Sequence, residues 1–185
     1  MILNPKKILK NELSDYDEIG NKAFIKLQKF SIYSSIIVRK LIEALKISDE
    51  LLSENFSIIS HKKISERNIN RLNSFEIEKY YDLEFPKKTN ISIKSLTDKI
   101  IHSYHFLPKY KWTKIKNELP DEDAENWKNE GIDGFYFSSD KSKNIELHFI
   151  TLKQYINVLE KINSDFIVRG IYINGEPTLK SRNNE

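Results

Sequence analysis

"GFYFSSDKSKNIELHFITLKQYINVLEKI", residues 134–162, changes its period once, and that change decides the fold class. Ile145, Leu147 and Phe149 alternate with Glu146 and His148, the period of two expected of a strand with one covered face. "GFYFSS" precedes them across the polar run "DKSKN", so the two runs predict an antiparallel pair. At Thr151 the period lengthens. Thr151 and Gln154 stand at capping-box spacing, and Leu152, Tyr155, Ile156, Leu159 and Ile162 then recur on one helical stripe. Paired strands feeding an amphipathic helix predict an α+β domain.

Downstream, "FIVRGIYINGEPTL" predicts one or two strands about the hairpin dipeptide Asn174-Gly175, and residues 181–185 a frayed tail. Upstream, residues 107–131 carry two prolines, a basic-aromatic start and an acidic run, which predicts a strand or arm leading into a surface excursion. Ser92 or Asn90 can cap a helix to about Ser103, with Ile93, Leu96, Ile100 and Tyr104 on one face. Residues 56–85 are ambiguous between strand and short helix.

The longest periodic run extends from Asn21 to Leu52, where Phe24, Leu27, Phe30, Ile37, Leu41 and Leu45 form one stripe and Ile25, Ile32 and Ile36 a second. A helix apolar on two sides predicts a central element packed between others. The expected architecture is therefore a single domain over 1–185: a long central helix, at least two further helices and a small antiparallel sheet in the C-terminal half.

Composition narrows the chemistry. Lys and Arg number 30 against 27 Asp and Glu, a net charge of +3, so any basic function must be local. The chain has no cysteine, which removes disulfides, thiolate metal sites and a cysteine nucleophile. Its five glycines form no phosphate-binding loop, and no dinucleotide-binding fingerprint is present. The start lacks the apolar core of a signal peptide, and no apolar run approaches the roughly 20 residues of a membrane span. The expectation is a cytoplasmic protein with no membrane segment, no cofactor and no metal.

Three stretches are candidate sites. In "DKIIHSYHF", residues 98–106, Asp98, His102 and His105 stand at helical spacing; they are either part of a metal or acid–base site, with Asp98 orienting His102, or a solvated polar face. In "VRKLIEALK", Arg39 and Glu43 are four apart beside the second apolar stripe. That position suits either an interhelical clamp partly removed from water, or a phosphate-binding guanidinium whose fork Glu43 fixes. In "PKYKWTKIK", extended backbone would set Tyr110 and Trp112 on one side and Lys109 and Lys111 on the other, forming either a nucleic-acid-stacking strip or an ordinary edge strand. Ser138-Ser139-Asp140 is read as turn chemistry.

"IIVRKLIEALKIS" and "LTDKIIHSYHF" resemble uncharacterised bacterial proteins that carry an Arg-Lys-Leu-x-Glu helix and an Ile-Ile-His-Ser segment. More remotely, over about the first 105 residues, a long opening helix and a later helix ending in histidine resemble the HEPN superfamily, which includes ribonuclease toxins and phage-defence effectors. The resemblance implies an RNA-acting or RNA-binding protein of the toxin or defence class. Active members carry Arg and His on one helix with four to six residues between them. Here Ser95, Leu96 and Thr97 hold positions where that arginine would stand before His102. The expected composite site is therefore Arg39 for phosphate contact, Glu43 for its orientation and His102 for proton transfer, with RNA or a protein as partner. The alternative is a non-catalytic interaction protein in which the same residues lock helices together.

Overall fold

The computed structural model describes residues 13–114, 127–165 and 167–181. The expected fold class is observed: a long helix, several shorter ones and antiparallel sheet. In chain order the elements are α1 (Leu13–Glu43), α2 (Asp49–Ser53), β1 (Asn55–Lys62), α3 (Ile77–Tyr80), β2 (Lys87–Ser92), α4 (Ile93–Ile101), β3 (Ser103–Lys114), β4 (Trp127–Ser139), β5 (Glu146–Thr151), α5 (Leu152–Ser164), β6 (Ile167–Ile173) and β7 (Glu176–Ser181). Five strands form one antiparallel sheet in the order β2-β1-β5-β4-β3, and β6 and β7 form a second, two-stranded sheet. The sheet is thus larger than expected, because β1 and β2 come from the first half of the chain.

Strand alternation sorts the core into two layers. On one face Phe135, Phe137, Phe106 and Ile150 join Ile93, Leu96 and Ile100 of α4, Val38 of α1 and Tyr155, Val158 and Ile162 of α5. On the other, Tyr136, Leu147 and Phe149 are covered by Ile69, Tyr80 and Tyr81 from the segment between β1 and β2. Burying each large apolar side chain stabilises the fold by about 1.5–3 kcal/mol, so the three buried anchors of α4 fix that helix on the sheet. Close approach matters at Gly134, where an added Cβ would lie 2.3 Å from the Ile150 carbonyl oxygen.

The local signals perform as their chemistry requires. Ser92 caps α4 by accepting from the Ser95 N–H, and Thr151 with Gln154 makes the full capping box at α5. Asn174 and Gly175 take positive φ values of 52° and 88° in the β6–β7 turn.

The long helix departs from expectation in two ways. It stops at Glu43, because Leu45 adopts a left-handed φ of 56° while the Lys46 N–H bonds to the Leu41 carbonyl at 2.8 Å, a Schellman closure built without glycine. Nor is it packed on two sides: Ser31, Ser35 and Val38 are buried, but Ile25 and Ile36 of the second stripe are exposed. Of residues 107–131, 107–114 form the expected strand, and both they and 127–131 belong to the β3–β4 ladder. The rest of the expected excursion, 115–126, and the tail 182–185 lie outside the described residues. Among the described residues no helix is long and apolar enough to cross a membrane.

Candidate functional site

α1 lies against α4, and this contact brings two distant sequence candidates together. Arg39 projects from α1 beside its buried stripe. Its Nε donates to Glu43 Oε1 at 3.1 Å and its Nη1 to Asp98 Oδ1 at 2.7 Å, so carboxylates from both helices hold the guanidinium. Hydrogen bonds from Lys40 and then Arg39 keep the Glu43 carboxyl below its ordinary range. The cluster is partly removed from water, as an interhelical clamp would be. The Arg39, Glu43 and Asp98 side chains are 43%, 47% and 38% exposed, which makes it a surface clamp.

His102 is the C-cap of α4, where its backbone N–H reaches the Asp98 carbonyl oxygen at 3.0 Å. Its side chain is exposed and has no hydrogen-bond partner among the described residues. Asp98 therefore orients Arg39, not His102; of the two readings of this stretch, the carboxylate–imidazole pair is replaced by a carboxylate–guanidinium pair, and His102 lies on the solvated face. His105 leaves this edge altogether. The chain enters β3 at Ser103, and a bulge there carries His105 into the opposite layer, where its Nδ1 lies 2.6 Å from Ser138 Oγ. Tyr104, expected on the apolar face of α4, is likewise a β3 residue packed in that opposite layer.

Arg39 and His102 line one open groove of about 690 Å³. Its floor is the outer face of α4, where Ser92, Ser95, Asp98, Lys99 and His102 recur at helical spacing with Lys94 beside them. Its far wall is the β4–β5 turn, Ser139, Asp140 and Lys141. Four fixed cations, Arg39, Lys94, Lys99 and Lys141, face two carboxylates, Asp98 and Asp140. Lys99 is partly drawn aside, 3.8 Å from Glu146, whereas Lys94 and Lys141 have no carboxylate partner among the described residues. The charges left facing the groove are therefore Lys94, Lys141 and one terminal nitrogen of Arg39.

The other three histidines are sealed in the core. Burial lowers the His105 pKa to about 4, with Lys143 adding to the effect. His148 is also lowered by burial, against the pull of Glu146 3.1 Å away. Neither has access to a ligand. Among the described residues no group of three or more His, Asp or Glu side chains is placed to hold a metal.

The basic-aromatic strip lies elsewhere, on edge strand β3. Tyr110 reaches the Gly20 carbonyl of α1, Lys109 lies 4.7 Å from the centre of the Phe149 ring, and Lys111 pairs with Glu130 at 2.6 Å. Only Trp112 presents a largely free aromatic surface, 55% exposed. These residues are engaged mainly within the fold, as an edge strand's are, and none of them lines the groove.

Ser92, Lys94, Ser95 and Lys99 line the groove but were not among the candidate site residues. Their spacing from His102 was available, since the face opposite Ile93, Leu96 and Ile100 must carry them. Lys141 had no such signal, because its place in the groove depends on how the sheet meets α4. No protein-family model, curated protein or solved structure matches the chain.

Proposed function

We propose that the chain binds RNA in this groove through its phosphates and that His102 transfers a proton there, an activity of the toxin or phage-defence class. The observation that carries the reading is the shared groove: Arg39 and the exposed imidazole of His102 line it together, with lysines outnumbering carboxylates. Arg39 is held by Glu43 and Asp98 while its second terminal nitrogen is left without a carboxylate among the described residues, a pre-oriented fork for a phosphate oxygen. Lys94 and Lys141 add charge on either side.

The reaction this constellation suits is internal transesterification of RNA. Neutral His102 accepts the proton of a 2′-hydroxyl; the O2′–P bond forms and the P–O5′ bond breaks; the departing 5′ oxygen takes a proton back from the imidazolium. The products are a 2′,3′-cyclic phosphate and a 5′-hydroxyl. Arg39 stabilises the added charge on the phosphorane.

The test uses end-labelled single-stranded RNA and a control carrying one 2′-deoxy position. The expected result is cleavage blocked at the deoxy position, with His102→Ala reducing cleavage by about 100-fold or more while binding persists. Unchanged cleavage in a folded His102→Ala protein overturns the catalytic role, and failure of wild type to bind RNA overturns the reading as a whole.

A second reading rests on a specific observation, the double occupancy of Arg39 by carboxylates from two helices. In a non-catalytic interaction protein this is a structural clamp. Arg39→Ala would then lower the melting temperature without affecting any RNA phenotype.

A further inference from the structure

The exposed side of α1 carries apolar and cationic groups in an arrangement that the described residues leave uncovered. Ile25, Phe30, Tyr33, Ile36 and Ile37 are 47%, 51%, 62%, 41% and 59% exposed, although the helix already buries its opposite side in the core. Residues 20–42 contain five cations, Lys22, Lys26, Lys29, Arg39 and Lys40, and no Asp or Glu. Lys26 and Lys29 have no carboxylate partner among the described residues, and Lys40 shares Glu43 with Arg39.

The order of groups around the helix identifies the occupant. At roughly 100° per residue, Ile25 and Ile36 fall on one line and Phe30 and Ile37 on another about 120° away. Lys26, Lys29, Lys40 and Tyr33 stand between them. A helix lying on a membrane has the inverse order: its apolar arc points deepest and its lysines sit at the flanks, where they can reach water. Here the lysine ridge would be driven first into hydrocarbon. A second copy of this helix would set lysines against lysines. A nucleic acid would satisfy the lysines but leave three isoleucines, which offer neither charge nor a stacking plane. An acidic amphipathic protein segment matches both components, with carboxylates for the ridge and apolar side chains for the lines beside it.

We propose that the exposed face of α1 is a docking site for an acidic amphipathic helix of a partner protein. The partner's anchors at i, i+3/i+4, i+7 and i+11 lie along the span from Ile25 past Tyr33 to Ile36, and its carboxylates meet Lys26, Lys29 and Lys40. The site is separate from the groove and does not depend on RNA binding there.

The probe is a displayed library of random 18-residue peptides selected against the whole chain. The targets for comparison are a Lys26→Glu/Lys29→Glu variant and an Ile36→Ser variant, each first shown to melt as wild type does; both change exposed side chains. The expected result is peptides with excess Asp and Glu and helically spaced apolar residues, whose affinity falls by about tenfold or more in each variant. Peptides without an acidic excess, affinity indifferent to both variants, or an empty selection would overturn the proposal. So would binding of wild type to phosphatidylserine vesicles that Lys26→Glu/Lys29→Glu abolishes, or a concentration-dependent dimer that Ile36→Ser abolishes.

Discussion

If the groove binds a polynucleotide backbone, its salt dependence follows from the cations that are free to face phosphates. Lys94 and Lys141 have no carboxylate partner among the described residues, and Arg39 retains one uncommitted nitrogen, whereas Lys99 is drawn towards Glu146. Three phosphate contacts on a single strand give a slope of log K against log salt of about −2.1, at about 0.7 per contact. Affinity should then fall about twentyfold between 50 and 200 mM salt by the same relation. Removing one contact, in Lys94→Ala or in Lys141→Ala, should leave a slope of about −1.4. Lys153→Ala, on α5 and outside the groove, should leave the slope unchanged. Fluorescence anisotropy with a labelled single-stranded RNA over a salt series measures all four proteins. A slope near zero, or equal losses from Lys94→Ala and Lys153→Ala, would refute the assignment of phosphate contacts to this groove.

Other consequences can be checked separately. Asp98→Asn removes one of the two carboxylates in the groove, about 1 kcal/mol of Coulomb repulsion for a phosphate some 4 Å away in water; it should raise RNA affinity about fivefold. In the same variant the loss of a solvent-exposed ion pair should lower unfolding free energy by no more than about 1 kcal/mol in urea titration. Leu96→Ala, at a fully buried position between α4 and the sheet, should cost about 2–5 kcal/mol in that assay. Gly134→Ala meets the Ile150 carbonyl and should displace the β4–β5 ladder, seen as loss of amide protection in hydrogen exchange along both strands. His105 binds its proton less readily folded, near pH 4, than unfolded, near 6.5, so its contribution is complete above pH 6.5 and declines as pH falls towards 4. At pH 5 the loss is about 2 kcal/mol, and His105→Gln should show a correspondingly shallower decline between pH 7.5 and 5.

Local chemistry was legible wherever it was sufficient. The capping box at Thr151, the Asn174-Gly175 turn and the spacing of Ile93, Leu96 and Ile100 each specify their own geometry within a few residues. The stop after Glu43 was not legible. Leu45 continues the apolar stripe, no Gly or Pro marks the break, and only the burial of Ile47 in the core shows what the turn achieves. Apolar periodicity along α1 likewise locates two stripes without saying that the core covers the side between them, where Ser31, Ser35 and Val38 lie, and leaves Phe30 and Ile37 of one stripe and Ile25 and Ile36 of the other exposed. β1 and β2 were ambiguous because pairing partners, not local sequence, decide whether such short mixed runs become strands.

The same distinction runs through the groove. The four-residue spacing of Arg39 and Glu43 allows their contact, but Asp98 was equally available to His102 on its own helix. Packing of α1 on α4 decides the competition, because it brings the permanently charged, forked guanidinium of Arg39 to 2.7 Å from Asp98 Oδ1. Asp98 is thereby occupied, and His102 is left at the helix end with its ring open to the groove. An imidazole without a carboxylate partner keeps both nitrogens available to accept a proton or donate one to a ligand. The contact that took Asp98 away from His102 thus left His102 open beside a held arginine, the arrangement that the proposed proton transfer would require.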